Sequence, residues 1–139
     1  MIEYKHTVQY YETDKMGIVH HSNYIRWMEE ARVDFLTKIG WSYDKLESCG
    51  IVSPVIGLDC TYKKPTAFPD EVYVTVSIEE FKGVKLKIGY HMENAKGETV
   101  FEGHSMHCFL NENGMPIKLA KEFPGFNAAL LKHMKDNQE

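Results

Sequence analysis

The sequence predicts an α+β fold in which an antiparallel sheet of about five strands wraps one long central helix, with a further helix near the C-terminus. Three observations predict it. Tyr24, Trp27, Met28, Ala31, Phe35 and Ile39 recur at helical spacing and form one broad apolar stripe. Val72, Val74, Val76 and Ile78 alternate with polar neighbours, as do Leu86, Ile88, Tyr90 and Met92, which is the period of half-buried strands. Glycines and prolines cut the rest of the chain into short segments. One apolar helix followed by a run of strands buries its stripe best when the sheet curls around it.

Taken in order, residues 3–10 are β-rich and read as a strand, and TDKMGIVHHSN reads as a loop. The long helix starts near Asn23, with Ser22 or Asn23 as N-cap and Gly40 as its stop. A short helical turn is expected around Ser42–Ser48, then a less regular strand over 52–63. The two alternating runs should pair as a hairpin turning at Lys82–Gly83. After a turn at Asn94–Gly97, residues 98–110 return antiparallel. A turn at Asn113–Gly114 precedes a helix opening at Pro124, where proline suits the first helical position. Phe101 and Phe109 alternate with Val100, Met106, Cys108 and Leu110, so both faces of that strand are expected to be apolar, one of them covered by a second subunit.

The 139 residues suit one domain, residues 1–139. Twenty acidic against sixteen basic residues give a net charge of −4, which argues against a nucleic-acid binder. Cys49, Cys60 and Cys108 offer neither a disulfide framework nor a CxxC pair, so a reducing cytoplasm is expected. No apolar run approaches the roughly 20 residues of a membrane span. His104, His107 and Cys108 invite a zinc reading. Strand residues three apart face opposite ways, however, and no metal site is expected.

The chemistry-bearing segment is Tyr10-Tyr11-Glu12-Thr13-Asp14-Lys15-Met16-Gly17-Ile18-Val19-His20-His21-Ser22-Asn23-Tyr24. It puts a carboxylate, a glycine turn and two histidines just ahead of the apolar helix. First-turn amides lack intrahelical acceptors and the helix dipole adds positive charge, which suits a developing oxyanion. A nearby carboxylate can act as nucleophile or as general base toward water. Taken alone, Asp14 reads as a turn residue and Tyr10 as a strand-end packing residue.

The segment resembles the signature of the hotdog-fold acyl-CoA thioesterases of the 4-hydroxybenzoyl-CoA thioesterase type, most closely the branch associated with the bacterial Tol-Pal system. The resemblance rests on Thr13-Asp14, Gly17, Ile18-Val19, His20-His21, Asn23-Tyr24 and Glu30-Ala31-Arg32, with Tyr62-Lys63-Lys64-Pro65-Thr66-Ala67 and Asp70-Glu71-Val72 as a second block. It spans roughly residues 5–110. His20 departs from the Tyr or Phe common at its position. The resemblance implies a hotdog fold, a homodimer or homotetramer with active sites at the subunit interface, and hydrolysis of an acyl-CoA to a carboxylic acid and free coenzyme A without a cofactor. Asp14 would be the catalytic carboxylate, the His21 backbone amide the oxyanion donor, and Tyr10 a further active-site residue. Gly17 and Tyr24 would help to form the substrate site, and one of Glu29 or Glu30 is a reserve carboxylate. Lys63, Lys64, Lys82 and Lys85, together with Lys87, are candidates for the coenzyme A phosphates. The competing readings are a hotdog hydratase or dehydratase and a non-catalytic acyl-CoA-binding scaffold.

Overall fold

The computed structural model describes residues 2–134. Five strands, β1 (Ile2–Thr7), β2 (Val55–Tyr62), β3 (Glu71–Lys82), β4 (Lys85–Asn94) and β5 (Thr99–Cys108), form one antiparallel sheet in the order β1-β3-β4-β5-β2. The helices are α1 (Ser22–Lys38), α2 (Tyr43–Ser48), α3 (Leu119–Glu122) and α4 (Pro124–Lys132).

The α1 stripe is the centre of the molecule. Trp27, Met28, Ala31 and Phe35 are buried against Val74, Val76, Ile78, Ile88, Met92 and Phe101 from the inner face of the sheet. Removing each of the larger side chains from water contributes about 1.5–3 kcal/mol. The helix ends as its sequence predicts. Gly40 sits at a φ of +90°, its amide donates to Thr37 O and the Trp41 amide to Leu36 O, closing a Schellman motif. The C-terminal helices plug this end of the core. Phe126 packs on Trp41 and Phe109 with ring centroids 5.0 Å and 5.5 Å apart.

The start of α1 differs from the capping expectation. Ser22 is already helical and His21 occupies the N-cap with no side-chain cap bond. Asn23 does not cap because its amide nitrogen donates to the Glu12 carbonyl at 2.9 Å, deep in the protein. The Ser22 amide turns instead to His20 Nδ1, at 3.2 Å.

The expectation of two apolar sheet faces is also corrected. Phe101 and Phe109 point to the core, but the outward residues Glu102 and His104 are polar, and only Met106 and Cys108 are apolar there. Val100 is buried because the β4–β5 register shifts between Met92 and Glu93. Exposed apolar side chains also line the β2 edge, where Val55, Ile56, Leu58 and Tyr62 are 44%, 53%, 42% and 46% exposed. An unpaired apolar edge is a template for another strand.

Candidate active site

The chain between β1 and α1 is built as a closed turn. Tyr10–Glu12 form one turn of 3-10 helix, after which Thr13 and Val19 bridge antiparallel. Inside that bridge the Asp14 amide donates to Ile18 O at 2.8 Å and the Gly17 amide to Asp14 O at 3.0 Å. Gly17 takes a φ of +80°, which a side chain would strain. Asp14 Oδ1 accepts the Met16 amide at 2.8 Å, an Asx-turn that holds the carboxylate at the exposed tip. The turn is fastened to the second sequence block. The Val19 amide donates to Thr66 O, Ile18 bridges Ala67, and the buried Tyr24 hydroxyl bonds Thr66 Oγ1 at 2.8 Å.

His21 closes the turn at the N-terminus of α1. Its carbonyl accepts the Tyr62 hydroxyl at 3.3 Å, and its ring lies 4.2 Å from that of His20. Among the described residues no acceptor takes the His21 amide, so a first-turn N–H remains available where the helix dipole is positive. A cleft of about 250 Å³ opens beside it, lined by His21, Tyr24, Tyr62, Lys63, Lys64 and Val19 among others.

The structure therefore brings His21, Tyr24, Lys63 and Lys64 to one cleft and sets Asp14 and Gly17 on the turn that adjoins it. The Asp14 carboxylate does not line that cleft within the single chain. Tyr10 is 76% exposed, edge-on to Phe68. Lys64 pairs with Glu98. Lys82, Lys85 and Lys87 gather instead around a separate cleft of about 380 Å³ that also includes Ile56, Gly57 and His107. Glu30 faces β1, where its Oε1 accepts the Tyr4 hydroxyl at 2.7 Å.

Two buried polar networks go beyond the sequence reading, in which His107 enters only through the zinc reading. The Glu12 carboxylate accepts the Gln9 amide and the Trp27 indole N–H, each at 2.7 Å, and His6 Nε2 at 2.8 Å. Burial pushes its pKa up, but those donors outweigh it and hold it below the ordinary carboxylate value. The second chain runs from Arg32 to Tyr90 OH at 3.1 Å, on to Ser105 Oγ and then His107 Nε2, each at 2.7 Å. Burial and then the Arg32 charge lower His107 to about 4. The available signal was Asn23 and Arg32 standing on the buried stripe of a helix, where polar groups must find partners. His104 faces the other side of the sheet, toward Asp59 at 2.9 Å.

The chain as a whole matches a recognised family. The chain fits the model of the thioesterase-like superfamily over residues 8–131. It belongs to that superfamily. Among relatives in the superfamily, the Bacillus subtilis protein named "Putative acyl-CoA thioesterase YneP" is 39% identical over 129 residues, 92% of this chain and 94% of the relative. The acyl-CoA thioester hydrolase YbgC of Escherichia coli O6:H1 is 25% identical over 95 residues, 68% of this chain and 71% of YbgC. The crystal structure of DHNA-CoA thioesterase from Staphylococcus aureus superposes with a TM-score of 0.89 at 36% identity, over 94% of this chain and 88% of that one. The sheet wrapped around α1 is thus the hotdog fold of thioesterases.

Proposed function

We propose that this protein is a thioester hydrolase that converts an acyl-CoA to a carboxylic acid and free coenzyme A. The observation that carries the reading is the single hydrogen-bonded turn that presents the Asp14 carboxylate and leads into the open His21 amide. In this reading the His21 amide takes the thioester carbonyl oxygen as it gains charge. Asp14 either adds to the carbonyl carbon, giving an acyl-aspartyl anhydride for water to cleave, or takes a proton from attacking water. Both routes break the C–S bond and return the thiolate a proton. Gly17 permits the turn, Tyr24 backs the cleft, and Tyr10, edge-on to Phe68, is the further active-site residue. In this reading the motif supports the 4-hydroxybenzoyl-CoA thioesterase type, its Tol-Pal-associated branch and chemistry that uses no metal or redox cofactor. The three cysteines, unpaired by spacing, support a cytoplasmic setting.

A second copy completes the site. If β2 pairs antiparallel with its own copy across a two-fold axis, the Tyr62 end of one protomer meets the Val55–Gly57 end of the other. That pairing covers the exposed β2 side chains. Lys63 and Lys64 beside the His21 cleft, and Lys82 and Lys85 on the outer face of the sheet, are the candidates for the coenzyme A phosphates. The acyl group then lies against Tyr24 and Tyr62, which line the cleft with rings 5.4 Å apart. A panel of straight-chain, branched and aromatic acyl-CoAs, followed by free-thiol detection, tests the reaction. Light scattering tests the assembly. Thiol release by a dimer or tetramer is expected. No release from any acyl-CoA, or a stable monomer that turns over at full rate, would contradict the reading.

A further inference from the structure

Glu12 stands two residues before Asp14 and is only 4% exposed. Burying a carboxylate is costly unless each oxygen is paired, and an apolar side chain of similar volume often fills such a site more cheaply. Stability therefore does not account for a charge at this position. What the carboxylate adds is direction. Its oxygens draw donors from three structural elements: the Gln9 amide at the 3-10 turn, the His6 ring on β1 and the Trp27 indole on α1. Its own carbonyl takes two more, the His20 amide and the Asn23 side chain, both at 2.9 Å. Residue 12 is thereby tied to β1, to the first turn of α1 and to the far limb of the Asp14 turn. His6 is itself backed by Glu30, at 3.2 Å from Nδ1.

We infer that Glu12 is a positioning residue, the buried anchor that fixes the Asp14 turn against the N-terminus of α1 and so sets the carboxylate relative to the His21 amide. The inference rests on the proposed roles of Asp14 and His21, and Glu12 touches no substrate in it. Hydrogen bonds from three elements to one carboxylate define a position far more narrowly than apolar contact does, and a misplacement of about 1 Å at a reacting group can cost about 10²-fold in rate.

Glu12→Gln tests this with little change of shape. The amide offers one acceptor oxygen and turns an NH₂ toward a donor, so at least one of the three donors loses its partner. The expected result has two parts. Hydrogen exchange at the Asp14 and His20 amides accelerates by about 10-fold or more while the β3–β4 amides keep their protection. With an acyl-CoA, kcat falls on the order of 10²-fold and KM stays within about threefold. Trp27→Phe removes one donor from the same carboxylate and serves as the milder variant should Glu12→Gln not fold. Its exchange and kcat effects fall between wild type and Glu12→Gln. Faster exchange spread evenly through the core, with kcat per folded molecule unchanged, overturns the inference. Local acceleration in a protein whose wild type releases no thiol upholds the anchor and sinks the hydrolase reading. A wild type that turns over with Glu12→Gln its equal does the reverse.

Discussion

The two ends of α1 are held by different physics. At the C-terminal end the chain stops in a Schellman motif and is sealed by apolar packing, with Trp41, Phe109 and Phe126 ring against ring. At the N-terminal end the fastening is polar: Glu12, His6, Asn23 and Thr66 hold a turn whose tip is open to water. Apolar burial is non-directional and stabilises in proportion to area. Hydrogen bonds add little net stability but fix angle and distance. The difference teaches where each is spent: packing keeps α1 in the sheet, and the polar clamp aims what projects from its start.

Substitutions should separate the two roles. Asp14→Asn removes the carboxylate at the turn tip, where it is exposed, and should lower turnover on the order of 10³-fold or more, with thermal unfolding little changed. At the other end Phe126→Ala should cost about 3–5 kcal/mol in urea unfolding through the cavity it leaves, with kcat per folded molecule kept. An intermediate effect comes from His107, in the polar chain beneath the middle of α1. The unfolded ring takes a proton near its ordinary value of 6.5 and the folded ring only near 4. Stability is therefore complete above that upper value and falls as pH drops toward the lower one. Urea midpoints measured down to about pH 5 should show this slope, and His107→Gln should flatten it. Below that range Glu12, whose pKa is held down, adds a second acid loss of the same sign. The smallest effect belongs to exposed lysines. Replacing Lys82 and Lys85 together with alanine should raise KM roughly 10-fold at low salt, less at high salt, with kcat retained.

Regularity decided what could be read from the chain. The α1 stripe, its Gly40 stop and the β3–β4 alternation are local patterns, and each forms as its spacing implies. β2 was the least regular because it is an edge whose side chains are mostly outside the core of one chain. The face assignment around Val100 failed because a register shift, not sequence parity, sets it. The turn from Asp14 to His21 was legible as a motif, and its link to the Tyr62–Ala67 block appears in space through Thr66. The Glu12 clamp was not legible. Its donors lie on Gln9, His6 and Trp27, and nothing in the spacing of those residues says that they converge. The lysines divided between two clefts for the same reason.

One paired measurement tests the contrast most directly: kcat per folded molecule and unfolding free energy for Glu12→Gln and Phe126→Ala in the same assay. The account predicts opposite signatures. Glu12→Gln should lose about 10²-fold in kcat per folded molecule, beyond what its change in stability explains, and Phe126→Ala should lose about 3–5 kcal/mol with kcat within about twofold. Losses of activity that simply track losses of stability in both variants would contradict it.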